Sequence, residues 1–249
     1  MQSPWDYPDF DDHEVVHFVT DPKSGLRAII ALHSTALGPA VGGARFWHYA
    51  ESGEALRDAL RLSRGMSYKN AMAGLPLGGG KAVILADKDR TKSPELLAAY
   101  GRAVDRLGGS YITAEDVGMS VADPVAVSKQ TRHVAGLPVA EGQVGGDPGP
   151  HTAYGVFLGG KAAVRRALGK DSLDGLQIAI QGAGSVASGL ARLAAEEGAR
   201  ISIADIDADR ARTLAGEVGG AVVDPADILA LQADVLSPCA LGAILTEQS

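Results

Sequence analysis

Two lysines and a run of glycines occupy one of the least charged parts of the sequence. Lys69 and Lys81 are separated by small, apolar and turn-forming residues, and three glycines, Gly78–Gly80, come directly before Lys81. Consecutive glycines let the backbone approach a ligand where a Cβ would collide. A lysine buried near another cation has a lowered pKa and can act as a general base. This stretch therefore predicts either a general-base site or a glycine loop with two solvated lysines, and alone it does not decide between them.

Asp116 is the second residue whose position indicates chemistry. It follows a predicted strand, 110–113, and is followed closely by Gly118. Loops that follow strands place functional side chains on a rigid scaffold. An acid beside a lysine of lowered pKa can relay a proton. Taken alone, the position favours a surface aspartate or a helix cap.

A second glycine motif, beginning at Gly182, predicts a dinucleotide-binding turn. A predicted strand, 176–181, leads into Gly-Ala-Gly-Ser-Val-Ala, a helical pattern follows, and the next predicted strand ends at Asp205. In a G-x-G-x-x-A turn, the glycines let a pyrophosphate approach the helix N-terminus, where N–H groups and the helix dipole favour anions. The predicted cofactor-binding residues are Gly182, Gly184, Ser185, Val186, Ala187 and Asp205.

The acid after the second strand indicates which nucleotide is expected. Asp205 lies about 20 residues beyond the motif, where an acid binds the ribose hydroxyls of adenosine. A carboxylate there repels a 2′-phosphate, so NAD is expected rather than NADP. Asp207 is close enough to be the binding acid instead. An ordinary β-turn-α unit without a ligand is the remaining alternative.

The elements around Lys81 and Asp116 predict an N-terminal domain with a mixed sheet. Runs rich in β-formers at 15–19 and 26–33 flank Asp21–Gly25, which predicts a hairpin and therefore an antiparallel part of the sheet. Residues 35–45 are expected to form a loop, because they contain Gly-Pro and Gly-Gly.

Helices and further strands complete this first domain. Apolar spacing predicts a helix over 54–66. Ser93, followed by a proline and an acid, predicts the start of a second helix. Lys81 is expected to open a strand, 82–85, and the strand 110–113 leads towards Asp116.

The segment 142–151 contains four glycines and two prolines and predicts the domain boundary. We place the domains at 1–145 and 146–249. Thr152 begins a predicted helix and is expected to act as its cap or as a ligand. About four strands are predicted in the second domain, whereas a full doubly wound dinucleotide-binding domain has six. The predicted fold class is α/β, with a mixed-sheet domain followed by a Rossmann-like domain that is incomplete at its C-terminus.

Composition excludes several classes of function. The net charge of -7 does not favour binding to nucleic acid or to an anionic membrane. A single cysteine, Cys239, excludes an internal disulfide framework and indicates a reducing compartment. The histidines show no metal-ligand spacing, so no metal site is expected. With no signal-peptide pattern and no apolar run long enough for a bilayer, a cytoplasmic protein is expected.

Five motifs in the same order resemble the amino-acid dehydrogenases of the Glu/Leu/Phe/Val family, and most of all its leucine- and valine-specific members. The motifs lie at 37–45 (LGPAVGGAR), 64–71 (RGMSYKNA), 74–81 (GLPLGGGK), 111–118 (YITAEDVG) and 182–187. The resemblance covers nearly the whole chain. It implies NAD-dependent oxidative deamination of an L-amino acid to a 2-oxo acid and ammonia, in a homo-oligomer.

The resemblance also implies a role for each matching residue. Lys69 would hold the substrate carboxylate, Lys81 would activate water, and Asp116 would shuttle protons. The substrate site would be lined by Gly42 and Gly43, with Met66 nearby. Asp147 joins Thr152 in the implied cofactor set.

Val41 and Ala114 indicate which class of amino acid would be the substrate. In glutamate-specific members of the family, a lysine that binds the side-chain carboxylate occupies the position of Val41. With Val41 aliphatic and Ala114 small, a dicarboxylate would lie unpaired in an apolar pocket. The resemblance therefore implies leucine, valine or isoleucine as the substrate, ahead of phenylalanine.

The chain departs from the family at its C-terminus, because family members continue well beyond the position of Ser249. The absent part carries the remaining strands of the cofactor domain and part of the side-chain pocket. A truncated relative that keeps the fold and NAD binding without turnover is therefore the second hypothesis. A different Rossmann enzyme is the third, and the complete set of Lys69, Lys81 and Asp116 argues against it.

Overall fold

The structure is a computed structural model that describes residues 3–89, 91–138, 145–240, 242 and 244–245. The chain forms two compact units that divide between Asp147 and Pro148. This division falls in the glycine- and proline-rich segment, of which residues 142–144 lie outside the described part. The functions that the sequence assigns to the two domains stay predictions.

The first unit is built on a five-stranded mixed sheet. Its strands are β1 (Val15–Asp21), β2 (Leu26–Ser34), β3 (Ala40–Trp47), β4 (Gly78–Leu85) and β5 (Tyr111–Glu115). Their order across the sheet is β1-β2-β4-β3-β5. The β1–β2 and β2–β4 pairs are antiparallel, whereas β3 runs parallel to both β4 and β5. The predicted hairpin and the mixed sheet are therefore confirmed.

The loop predicted over 35–45 is wrong, because most of that segment belongs to β3. The two glycines of β3, Gly42 and Gly43, serve close packing of strands and not a turn. A Cβ at Gly42 would lie 1.7 Å from the carbonyl oxygen of Gly80, and one at Gly43 would lie 2.4 Å from that of Glu115. Gly78–Gly80 likewise belong to a strand, because they are the first residues of β4. The predicted strand therefore begins four residues too late, and the alternative of a glycine loop before Lys81 is wrong.

Three helices pack on this sheet: α1 (Ser52–Met72), α2 (Pro94–Asp105) and α3 (Ala122–Ser128). The predicted buried positions of α1, among them Leu56 and Leu60, are buried against one face of the sheet. The opposite face carries α2, which packs Tyr100 on the core. Ser93 caps α2 as predicted, because its hydroxyl oxygen accepts the N–H of Leu96 over 3.1 Å. Helix α1 continues six residues beyond its predicted end, and α3 was not predicted.

The second unit is a parallel sheet with helices. In chain order it consists of α4 (Gly149–Leu168), β6 (Gln177–Gln181), α5 (Ser185–Glu196), β7 (Arg200–Ala204), α6 (Ala208–Val218), β8 (Ala221–Val222) and β9 (Val235–Pro238). The strands lie in the order β8-β7-β6-β9 and all run parallel. Counted from β6, the strands of the described residues follow the 3-2-1-4 order of a Rossmann fold, whose fifth and sixth strands are not among them. The predicted four-stranded, incomplete Rossmann-like domain is confirmed; α6 was not predicted.

Helices in the described part of the chain are too short or too polar to cross a bilayer.

Candidate active site

Lys81 and Asp116 meet in the first unit. Lys81 lies within β4, paired with Ala31 of β2, and Asp116 directly follows β5. The Nζ atom of Lys81 is 2.9 Å from Oδ2 of Asp116, and the lysine is 5 % exposed. The structure thus brings together the two residues that the sequence singled out for proton transfer, although 34 residues separate them in the chain.

The surroundings of this pair shift both pKa values. Burial lowers the pKa of Lys81, and the neighbouring guanidinium of Arg45 lowers it further, against the opposing effect of Asp116. Burial raises the pKa of Asp116, but the charges of Lys81 and Arg45 outweigh it, so the pKa of this carboxyl is lowered. A buried amine that loses its proton more readily, beside a carboxylate that stays ionised, is suited to proton transfer. The cation beside Lys81 is Arg45, not Lys69.

Arg45 and Asp58 are site residues that sequence reasoning missed. Arg45 donates from Nε to Oδ2 of Asp116 over 2.9 Å and from Nη1 to Oδ2 of Asp58 over 2.7 Å. Arg45 is the last residue of Gly-Gly-Ala-Arg, a segment that the sequence predicted to be a loop. Its contacts depend on its position in β3, which pairs with β4, so the sequence alone did not indicate them. Asp58 lies on α1 between buried apolar residues, which is the signal that would have identified it.

The predicted substrate-lining residues cluster around β3. Gly42 lies opposite Thr113, and a Cβ on Gly42 would come within 3.3 Å of Cγ of Met66, so Met66 packs directly on β3. Gly43 lies opposite Ala114, and a Cβ there would come within 2.7 Å of Cβ of Asp116. Gly43 and its partner Ala114 therefore lie beside Asp116, whereas Gly42 and Met66 contact each other.

Val41 and Lys69 have a different placement. Val41 lies opposite Gly79 in the parallel pair of β3 and β4. Lys69 is exposed on the last turns of α1, and no contact among the described residues joins it to the Lys81–Asp116 pair. Its role as a carboxylate anchor therefore stays a prediction.

The glycine motif of the second unit has the geometry of an anion-binding turn. Gly182 has φ +106°, a conformation that favours glycine, and its N–H donates to the carbonyl oxygen of Ala204 over 2.6 Å. Gly184 is the N-cap of α5, and Ser185 is the first helical residue. A Cβ at Gly184 would meet no atom within 4 Å, so the space beside this residue is open. Val186 and Ala187 continue the first turn, with Ala187 buried.

Asp205 and Asp207 are separated by their contacts. Asp205 follows β7, and its carboxylate accepts the N–H of Ala183 over 2.6 Å and that of Asp207 over 2.8 Å, which ties it to the glycine turn. Asp207 caps α6 by accepting the N–H groups of Asp209 and Arg210. Asp205 is thus the acid that lies at the turn, and its role towards a ribose stays a prediction.

The remaining cofactor predictions concern the start of the second unit. Helix α4 begins at Gly149 with Pro148 as its N-cap, so the interpretation of Thr152 as the cap is wrong; its hydroxyl donates to the carbonyl oxygen of Pro148 over 2.8 Å. Thr152 and Asp147 as cofactor ligands stay predictions. No three His, Cys, Asp or Glu side chains of the described residues are grouped as a metal site.

Comparison with known proteins identifies the family. The family model described as Glu/Leu/Phe/Val dehydrogenase, dimerisation domain, matches residues 13–133. Leucine dehydrogenase of Thermoactinomyces intermedius is 46 % identical over 245 residues, which are 98 % of this chain and 67 % of that protein. The chain belongs to the Glu/Leu/Phe/Val dehydrogenase family.

Other members of the family show the same extent of similarity. Leucine dehydrogenase of Geobacillus stearothermophilus is 49 % identical over 238 residues, 96 % of this chain and 65 % of the relative. The crystal structure of L-tryptophan dehydrogenase from Nostoc punctiforme superposes with a TM-score of 0.67 at 42 % identity, over 95 % of this chain and 66 % of that one. The predicted family is confirmed, and the chain spans 65 % of the length of the Geobacillus relative.

Proposed function

We propose that the chain belongs to an NAD-dependent amino-acid dehydrogenase that converts an aliphatic L-amino acid and water to the 2-oxo acid and ammonia. The buried contact of 2.9 Å between Lys81 Nζ and Asp116 Oδ2 carries this proposal. It supplies a base of lowered pKa and an ionised acid to one reaction centre. The amino-acid dehydrogenases among its relatives support the same class of reaction.

The residues of the glycine turn are suited to NAD. The open space beside Gly184 and the N–H groups at the start of α5 suit a pyrophosphate. The carboxylate of Asp205 suits the hydroxyls of a ribose. NAD held by these residues would supply the hydride acceptor for Cα of the amino acid, whose oxidation gives an iminium. The acid at position 205 favours NAD over NADP because it repels a 2′-phosphate.

Lys81 and Asp116 then carry out the hydrolysis of the iminium. The neutral amine of Lys81 takes a proton from water as the water oxygen bonds to Cα, which gives a carbinolamine. Asp116 relays the proton now held by Lys81 to the nitrogen of the carbinolamine. The C–N bond then breaks to release ammonia, while the hydroxyl gives its proton to the neutral Lys81 and becomes the carbonyl of the 2-oxo acid. Lys69 is proposed to pair with the substrate carboxylate and so to orient Cα.

Leucine, valine and isoleucine are the proposed substrates. Val41 and Ala114 offer no charge to a substrate side chain, so glutamate would lose the hydration of its second carboxylate without a partner. The relatives include both leucine and tryptophan dehydrogenases, so they do not distinguish an aliphatic from an aromatic substrate. The proposed aliphatic preference therefore depends on Val41 and Ala114.

The test is NADH formation, followed by absorbance, with L-leucine, L-valine, L-tryptophan and L-glutamate as substrates. We expect turnover with the aliphatic amino acids and a drop in kcat of about 10²- to 10⁴-fold in Lys81→Ala, the range of general-base catalysis. Lys129→Ala, at an exposed position of the same unit, is the control and keeps the wild-type kcat. Unchanged turnover in Lys81→Ala would refute the assigned mechanism.

A relative that keeps the fold and binds NAD without turnover is the second candidate. A rise in melting temperature with NAD, without NADH formation, favours this candidate. A homo-oligomer is proposed for either case; a cytoplasmic location stays a prediction.

A further inference from the structure

A chain of alternating charges continues behind the Lys81–Asp116 pair. The same carboxylate oxygen, Asp116 Oδ2, lies 2.9 Å from Lys81 Nζ and 2.9 Å from Arg45 Nε. The other side of the guanidinium reaches Asp58, with Nη1 2.7 Å from Oδ2. The side chain of Arg45 is only 10 % exposed. One buried guanidinium on β3 thus joins the acid after β5 to an acid on α1.

Asp58 is itself held from two sides. The hydroxyl of Tyr49 donates to Oδ2 over 2.7 Å, and Nη2 of Arg61 donates to Oδ1 over 2.8 Å. Burial raises the pKa of Asp58, but hydrogen bonds from Arg61 and Tyr49 and the charge of Arg45 outweigh it, so its pKa is lowered. Asp58 is therefore an ionised anchor for the guanidinium.

We propose that Arg45 and Asp58 are positioning residues for the reaction proposed above: Asp58 anchors the guanidinium of Arg45, which holds the carboxylate of Asp116 against the amine of Lys81. This inference rests on the proposed function for its chemistry. Neither residue is required to touch the substrate.

The geometry explains why an arginine is present at position 45. A guanidinium presents several donors in a rigid plane, so Nε and Nη1 bond two different carboxylates at fixed directions. A lysine offers a single ammonium on a flexible stem and does not reproduce both bonds. Removing one member of a buried ion pair leaves the other uncompensated. Asp116 would therefore turn about its own bonds if Arg45 were lost, and its distance to Lys81 would no longer be fixed.

Arg45 and Asp58 also shift the pKa of Lys81, in opposite directions. The charged groups that face this amine are Asp116 after β5, Arg45 from β3 and Asp58 from α1; the facing residue on β2 is the neutral Ala31. Arg45 lowers the pKa of Lys81 and Asp58 raises it. Two further groups, Tyr111 and Glu115, lie near the charge of Asp116.

The test is a titration of the Lys81 amine in the full chain, by NMR of isotope-labelled lysine side chains. The signal is assigned by its loss in Lys81→Met. Arg45→Met is expected to raise the pKa of Lys81, and Asp58→Asn is expected to lower it. Tyr49→Phe removes a hydrogen bond to Asp58 without a change of charge, so it is the control and leaves this pKa in place. A merely structural disturbance would move both charge variants in the same direction, towards the ordinary value.

Kinetics supply the second readout when the chain turns over. Arg45→Met is expected to lower kcat about 10²-fold, the cost of displacing a reacting group by about 1 Å, while KM for the amino acid stays close to wild type. The acid limb of the pH–rate profile follows the pKa of Lys81, so it moves to higher pH in Arg45→Met and to lower pH in Asp58→Asn.

Two conservative variants cover the case in which a neutral variant does not fold, as judged by circular dichroism. Arg45→Lys and Asp58→Glu keep the charges, so they are expected to keep the pKa of Lys81 and to lower kcat. Wild-type kcat in both would overturn the positioning role, as would equal shifts in the NMR titration. Opposite shifts without any NADH formation would instead refute the proposed reaction and leave the arrangement of the four charges supported.

Discussion

Asp205 and Asp207 are close in the chain, but their side chains form different hydrogen bonds. Both follow β7, and the sequence left open which of them would face a ribose. In the folded chain the carboxylate of Asp205 accepts the N–H of Ala183 in the glycine turn, whereas Asp207 caps α6. Their contacts, not their order in the chain, distinguish them.

This distinction predicts different outcomes for the same substitution. Asp205→Asn is expected to raise KM for NAD about 10- to 100-fold, because it removes a charged hydrogen-bond partner of the ribose, and to weaken discrimination against NADP. Asp207→Asn is expected to keep KM for NAD, because asparagine is also a good N-cap and the side chain at position 207 caps α6. Steady-state kinetics with both nucleotides measures the difference; equal KM changes in the two variants would contradict the assignment.

At the scale of elements, α1 and β4 hold the site together. Helix α1 carries Met66, Asp58 and Lys69, and it packs on the strand that carries Lys81. The packing is close because Gly79 has no side chain: a Cβ there would lie 2.2 Å from the backbone nitrogen of Ser67. The absence of a side chain at Gly79 therefore sets the distance between the helix and the strand.

Gly79→Ala is expected to separate α1 from β4 and to destabilise the protein by about 1–3 kcal/mol, the usual cost of overpacking. The matched control is Gly65→Ala on the exposed face of the same helix, where a Cβ meets no atom within 4 Å. That control is expected to stabilise by about 0.5–1 kcal/mol, since alanine is the better helix former. Urea unfolding measures both changes, and a stable Gly79→Ala variant would show that α1 can shift without cost.

At the scale of the whole molecule, one edge of the five-stranded sheet is suited to contact with another chain. Strand β1 is the outer strand of that sheet, and Phe18 on it is 61 % exposed. An edge strand that carries an exposed apolar side chain, and whose outer side has no neighbouring strand among the described residues, is suited to pairing with another chain. The proposed homo-oligomer is therefore expected to form through β1.

Phe18→Glu is expected to shift the chain towards the monomer, because it places a charge in the proposed interface. Ile206→Glu is the control, since Ile206 is 96 % exposed but lies in the second unit. Sedimentation velocity distinguishes the two variants. An unchanged oligomer in Phe18→Glu would place the interface elsewhere.

Much of the architecture follows from local patterns of residues. The hairpin, the cap at Ser93, the apolar stripe of α1 and the strand-glycine-helix motif at Gly182 are all set by neighbours within a few positions, and all were predicted. Their common cause is that hydrogen bonding and periodic burial in one element depend on nearby residues.

The composition of the site depended on contacts between distant residues. The same glycines that suggest a loop at 35–45 allow β3 to approach its neighbours, and only the paired strands reveal this. Lys81, Asp116, Arg45 and Asp58 come from four separate elements or their ends, and no local period relates them. The sequence by itself indicated that Lys81 and Asp116 have side chains suited to proton transfer. The tertiary fold decided that these two touch each other and that Arg45 and Asp58 join them, because strand pairing and helix packing set distances that spacing along the chain does not.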